Sequence, residues 1–281
     1  MDFFSFFILA LPIYLVLPFL FYKKYKRQRR KDPFDVLDIE RPAGYALHSK
    51  LLDLSMDIGE QIAMMITIAA IFTLLLVNDS LTGIIKFGLL LALFIIVLHY
   101  GAKLIKTQSK IYKYREGLKA EQIVGQSLTK LLYSGFHVYH DIPCSNFNID
   151  HVVVCSKGIF AIETKSRRKD TDGKGHRVSV KNNIIEFSSY SDNKIIQQVK
   201  NASKWLSKEL SSATGESVQV KPMVALPGYF IERKDNNSVP VLNHKQLTSP
   251  NNFVSNMVLS EEQIKRVNHQ LRQLQRTKAA S

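Results

Sequence analysis

The chain has 281 residues, 22% charged and 46% hydrophobic, which excludes generic disorder and collagen-like repeats and allows one or two domains. Its 38 Lys and Arg against 24 Asp and Glu leave a formal charge of +14. The two cysteines, Cys144 and Cys155, are too few to staple a secreted mini-domain and lack a zinc-ribbon spacing.

Apolar residues concentrate in the first 105 positions. Residues 3–22, FFSFFILALPIYLVLPFLFY, carry no charge, and such a run reaches ~30 Å as a helix, the thickness of a bilayer's hydrocarbon core. A signal peptide would carry its basic residues ahead of the apolar run, whereas this chain starts MDFF and is basic behind it. The run is therefore expected to be a retained anchor. Residues 23–31, KKYKRQRRK, hold seven basic residues in nine. They suit a cytoplasmic stop-transfer flank and a contact for anionic lipid head groups.

Residues 32–60 are mixed and amphipathic, with Pro33 and Pro42 as breakers. Two further apolar runs, 62–77 and 84–104, flank the short polar turn 78–80, so they are expected to form a helical hairpin. Lys103, Lys106, Lys110 and Lys113 follow it, and the turn has no basic residue. The positive-inside rule then gives three transmembrane helices in an inner or plasma membrane. The N-terminus lies outside, residues 23–60 inside, the turn outside, and everything after Leu104 in the cytoplasm.

From Lys106 onward there are 27 basic and 15 acidic residues, a net +12 whose natural partners are polyanions. Residues 114–133 have helical periodicity, with Ile123, Val124, Leu128, Leu131 and Leu132 on one side and Gly135 beyond the end. Residues 136–141 read as a strand, and 149–155 and 158–165 as two more around a turn at Ser156-Lys157-Gly158. The polar stretch 166–176 precedes alternation over 178–187. A helix over 195–210, strands over 218–226 and 240–242, and a helix over 261–275 complete the series. Ser260 and Gln263 form a capping box at the start of that last helix. The order predicts an α/β domain with a mixed sheet.

The hairpin carries the chemistry. A turn centred on Ser156-Lys157 sets Asp150 opposite Glu163, and one centred on Lys157-Gly158 sets it opposite Lys165. Both registers put Asp150, Glu163 and Lys165 on one face, because cross-strand partners share a face and so do residues two apart. Their strands are otherwise almost wholly apolar, and charges in such a place are costly unless paired or metal-bound. Two carboxylates and a lysine suit Mg²⁺-assisted phosphodiester hydrolysis, in which the acids hold the metal and the lysine assists the attacking water. A surface ion pair of Glu163 with Lys165, with Asp150 capping a turn, is the competing account.

The pattern Asn148-Ile149-Asp150-His151 followed by Gly158-Ile159-Phe160-Ala161-Ile162-Glu163-Thr164-Lys165 resembles the nuclease-related domain (NERD) family. That family belongs to the PD-(D/E)XK, restriction-endonuclease-like superfamily. The resemblance extends over about residues 114–247, including Gly117 and Glu121 on the first helix and Gln198 to Trp205-Leu206 on the later one. It implies a restriction-endonuclease-like mixed sheet flanked by helices. It implies a catalytic set of Asp150, Glu163 and Lys165, with Asp150 and Glu163 binding Mg²⁺ or Mn²⁺. Glu121 would be an auxiliary acid, and Gln198 or its neighbour Gln197 a polar contributor. The stretch 166–174, SRRKDTDGK, would be either a substrate-facing basic loop or a solvated one.

The resulting division is an anchor with basic flank (1–31), a cytoplasmic linker (32–60), a transmembrane hairpin (61–105), a nuclease-like domain (106–250) and a basic C-terminal helix (251–281). The expected function is metal-dependent cleavage of nucleic acid, DNA before RNA. The alternative is a catalytically silent scaffold that binds nucleic acid or a partner at the membrane. His140, Cys144, His151 and Cys155 match no closed zinc pattern, and His151 and Cys155 are expected on the sheet. Trp205, Val199, Ala202 and Leu206 read as a helix packing face.

Overall fold

The computed structural model describes residues 22, 40–77, 80–168, 175–235 and 239–276. The anchor at 3–22, Tyr22 excepted, lies outside the described residues, as do the basic run 23–31 and residues 169–174 of the basic loop.

Helix α1 spans Tyr45–Val77 and helix α2 spans Gly83–Thr129. The sequence suggested separate segments at 84–104 and 114–133, but nothing between Leu104 and Tyr114 is Gly or Pro, so no breaker interrupts the backbone hydrogen bonding. The result is one helix of 47 residues, about 70 Å long at 1.5 Å per residue. Past its end the chain tightens into a 3-10 turn, Lys130–Ser134, closed by Gly135 at φ 77°. The tighter winding turns Leu132 outward, where it is exposed rather than buried as the periodicity implied, while Leu131 stays in the core.

Two of the described helices, α1 and α2, are long and apolar enough to cross a membrane, their apolar windows 6% and 0% buried, while the third expected span, at 3–22, lies outside the described residues apart from Tyr22. Ile66, Ile71 and Leu75 on α1 and Ile84, Phe87 and Phe94 on α2 are exposed. A helix at the core of a soluble protein buries such side chains.

The domain beyond is a five-stranded sheet in the order β1-β2-β3-β7-β9. Its strands are β1 (His137–Pro143), β2 (Asn148–Cys155), β3 (Gly158–Thr164), β7 (Val220–Ala225) and β9 (Val241–Leu242). The first three pair antiparallel, and β3, β7 and β9 run parallel. The C-terminal end of α2 covers one face, with Val124 and Leu128 against Val153, Phe160, Ile162 and Met223. Helix α3 (Lys194–Thr214) and helix α4 (Glu261–Arg276) cover the other, where Ala202, Leu206, Val267 and Leu271 meet Val152 and Ala161. Trp205 packs against the same cluster. Ser260 and Gln263 form the expected capping box, each donating its backbone N–H to the other's side-chain oxygen at 3.0 and 3.2 Å.

A second sheet, β6-β5-β4-β8, consists of β4 (Arg177–Lys181), β5 (Ile184–Glu186), β6 (Ser191–Asp192) and β8 (Phe230–Arg233). The alternation over 178–187 is thus a hairpin, turned at Asn182 and Asn183 with φ of 52° and 60°, the conformation that a type I′ turn needs. Its buried side chains pack on the first turns of α3 through Ile195, Ile196 and Val199.

The chain just ahead of α1 and the first turn of α1 cross α2 closely. A Cβ added at Gly125 would lie 2.7 Å from that of Ala43, and one at Gly117 would lie 3.0 Å from Leu47 Cδ1. Gly59 on α1 has open space around it. Alanine in a helix is favoured over glycine by about 1 kcal/mol, so Gly59→Ala should raise the thermal midpoint of the detergent-solubilised full chain slightly. Gly125→Ala should lower it. Equal rises in both would mean that the 42–47 segment does not bear on α2.

Candidate active site

The register of β2 with β3 pairs Cys155 with Gly158 and His151 with Ile162, the arrangement of a turn centred on Ser156-Lys157. One step further along the same register sets Asp150 opposite Glu163. Asp150, Val152 and Val154 point to the α3 side, as do Ile159, Ala161 and Glu163. Lys165 extends β3 by donating its backbone N–H to Ala225 O at 3.0 Å.

Glu163 is 4% exposed, and its Oε1 accepts from Lys165 Nζ at 2.6 Å and from Gln198 Nε2 at 2.7 Å. Gln198 therefore faces the site from α3. Gln197 instead donates to Asn201 on the exposed side of the same helix. Asp150 Oδ2 accepts the backbone N–H of Thr164 at 2.6 Å. No hydrogen bond among the described residues reaches Asp150 Oδ1 or Glu163 Oε2, which leaves one oxygen of each carboxylate for a ligand.

Glu121 enters from α2. Burial first, then repulsion from Asp141 and Glu163, pushes its carboxyl up to about 7. Burial also raises Asp150 well above the ordinary carboxylate range, reinforced by Glu163 and Glu121. Burial raises Glu163 as well, with Lys165 and Gln198 pulling the other way. The surface ion pair is thus replaced by a largely buried one: the side chains of Lys165 and Glu163 are 23% and 5% exposed, amid further acids.

Asp141 is a neighbour that the sequence did not announce. The β1–β2 pairing runs in constant register from His137↔Val154 to Pro143↔Asn148, yet skips Asp141, which would face Asp150. Its φ is 51°, a left-handed conformation that costs a non-glycine residue about 1 kcal/mol or more. Its carboxylate accepts from Asn148 Nδ2 at 3.1 Å and pairs with Arg41 Nη1 at 3.4 Å. No sequence pattern marks this pairing, because Arg41 is 100 positions away.

Behind the site, His140 Nδ1 lies 2.8 Å from His151 Nδ1, and His151 Nε2 lies 3.1 Å from Thr164 Oγ1. Burial pushes His140 down to about 4 and His151 well below the usual imidazole range. Both rings are thus neutral. Cys155 sits on β2, as expected, and is buried. No three His, Cys, Asp or Glu side chains among the described residues form a ready cage for a metal. The donor set on offer, two hard carboxylates each with one oxygen free of hydrogen bonds among the described residues, is the kind Mg²⁺ uses when it keeps water and binds substrate phosphate.

Residues 116–227 match the family model of the nuclease-related domain. No curated protein and no solved structure was found to match the chain. The matched span contains Glu121, Asp150, Glu163, Lys165 and Gln198.

The titration of Glu121 makes a testable difference. An acid raised on folding stabilises the fold below its unfolded value, near 4.5, and loses that contribution as pH rises through about 7. The two histidines act with the opposite sign, contributing above 6.5 and losing that as pH falls. Thermal melts in chelator of wild type beside Glu121→Gln isolate the first effect. Between pH 5 and 7.5 the wild type should lose up to about 3 kcal/mol relative to the variant. Parallel curves would show that the carboxyl is not shifted.

Proposed function

With a nuclease-related domain at residues 116–227 as premise, we propose that the chain is a membrane-anchored, Mg²⁺- or Mn²⁺-dependent nuclease, acting on DNA before RNA. The observation that carries this reading is the pair of carboxylates, Glu163 buried and Asp150 half-buried, each with one oxygen held and the other accepting no hydrogen bond among the described residues. Asp150 and Glu163 would hold the metal, which supplies Lewis-acid charge to the scissile phosphate.

The chain's own groups do the rest. Lys165 and Gln198 hold Glu163 by the same oxygen, so its other oxygen keeps one direction. The Thr164 amide does the same for Asp150. The Lys165 ammonium is partly exposed at the rim, where it orients an attacking water or a phosphate oxygen. Glu121, poised near neutrality, releases its proton when positive charge enters. The net +12 of the region from Lys106 onward draws a polyanion towards this acidic centre.

The membrane part of the reading rests on the exposed apolar surfaces of α1 and α2 and on Lys103, Lys106, Lys110 and Lys113 beyond Leu104. It places the nuclease-like domain in the cytoplasm, the N-terminus outside, and residues 23–31 among anionic head groups. With residues 3–22 as a further span, the protein is multi-pass.

The test uses the full chain in lipid nanodiscs, because Arg41 and Ala43 pack on the domain. Labelled single- and double-stranded DNA and RNA are offered with Mg²⁺, Mn²⁺ or chelator. Cleavage should require metal and fall at least about a hundredfold in Asp150→Ala and in Lys165→Ala. Intact substrate, from folded protein that still binds nucleic acid, would transfer the reading to a silent membrane-tethered binding scaffold.

A further inference from the structure

The catalytic face of the β2–β3 hairpin has a rear side, and a hydrogen-bonded chain crosses it. His151 follows Asp150 on β2, and Thr164 stands between Glu163 and Lys165 at the end of β3. Neighbours in a strand point to opposite faces. His151 and Thr164 therefore lie back to back with the three residues that the proposed reaction uses. His151 pairs with Ile162, so Thr164 is its diagonal neighbour, a separation that a long side chain spans. The imidazole makes that connection, Nε2 to Thr164 Oγ1 at 3.1 Å, with His151 fully buried.

His140 holds the far side of the ring. The 2.8 Å between the two Nδ1 atoms requires a single proton there. If His151 donates it, His151 Nε2 accepts from the Thr164 hydroxyl; if His140 donates it, His151 Nε2–H donates to that hydroxyl. Both arrangements satisfy every nitrogen of His151, so the ring has no reason to rotate. His140 is fixed in turn: its carbonyl accepts from Gln275 of α4 at 2.8 Å, and Gly125 of α2 lies against its ring.

We propose that His151, braced by His140, is a positioning residue. Through Thr164 Oγ1 it fixes the peptide whose N–H holds Asp150 Oδ2, and so sets the spacing of the two metal-binding carboxylates. The inference deepens the nuclease reading in respect of metal affinity, but the clamp itself is a property of the unliganded hairpin. Loss of the Thr164 hydroxyl frees the strand end to twist, and the amide that holds Asp150 moves with it.

Thr164→Val removes the hydroxyl and keeps shape and strand propensity, and Thr164→Ser keeps the hydroxyl. In the full chain in nanodiscs, hydrogen exchange reports the residue-164 amide, Mn²⁺ binding followed by electron paramagnetic resonance reports the site, and melting reports the fold. Thr164→Val should raise amide exchange about tenfold and weaken Mn²⁺ binding ten- to a hundredfold, as loss of support to a metal ligand does. Thr164→Ser should match wild type in both, and melting should stay within a few degrees throughout. An amide in Thr164→Val as protected as in wild type would overturn the proposal. So would equal losses in the Ser and Val variants. If wild type binds no Mn²⁺, the metal reading falls, while the exchange comparison still decides the clamp.

Discussion

Several carboxylates gathered in a poorly hydrated place are the constraint around which this domain is arranged. Glu121 and Glu163 are buried, Asp150 stands beside them, and each raises or is raised by another. In a low-dielectric setting such repulsion destabilises the fold unless donors are brought to the oxygens. The donors arrive from four different parts of the chain: the Thr164 amide and Lys165 at the end of β3, Gln198 on α3, and, for the adjoining Asp141, Asn148 on β2 and Arg41 ahead of α1. Stability alone would favour apolar residues at those positions. Their presence together is what the proposed reading accounts for.

The second constraint is continuity. Glu121 belongs to the same uninterrupted helix as the apolar run that ends at Leu104. A helix cannot bend sharply without a breaker, so the position of the acid is tied to the position of the apolar segment. The chain ahead of α1 reinforces this, because Ala43 touches Gly125 one turn beyond Glu121 and Arg41 pairs with Asp141. The site is therefore assembled from both sides of the apolar hairpin.

Much of this was legible in the residues, for specific reasons. The hairpin register reduced to two choices, both with Asp150, Glu163 and Lys165 on one face, because side-chain direction alternates with period two. The adjacent glutamines were not separable by spacing, since a helix turns by 100° per residue and only packing decides which one faces the sheet. The unity of α2 was hidden by its change from apolar to amphipathic at Leu104, although no Gly or Pro marks a break there. The left-handed backbone at Asp141 left no trace at all. A conformation that opposes a residue's preference is imposed by tertiary contacts, here with Arg41 and Asn148. The second sheet was half visible: its β4–β5 alternation is regular, but β6 has two residues and β8 four, too short for a periodic signal.

Charge supplies the last connection. The region from Lys106 onward is strongly basic, yet its centre is acidic. A basic periphery concentrates phosphates near the surface but does nothing to let one approach the carboxylates, which repel it at short range. On the proposed reading Asp150 and Glu163 would hold a divalent cation, whose charge would offset that repulsion. Lys165 alone is insufficient, because its ammonium is already engaged by Glu163 at 2.6 Å. On that reading the acidic centre and the basic surface suit a polyanionic substrate once a third charge completes the site, and the oxygens of Asp150 and Glu163 that accept no hydrogen bond among the described residues are where that charge would be held.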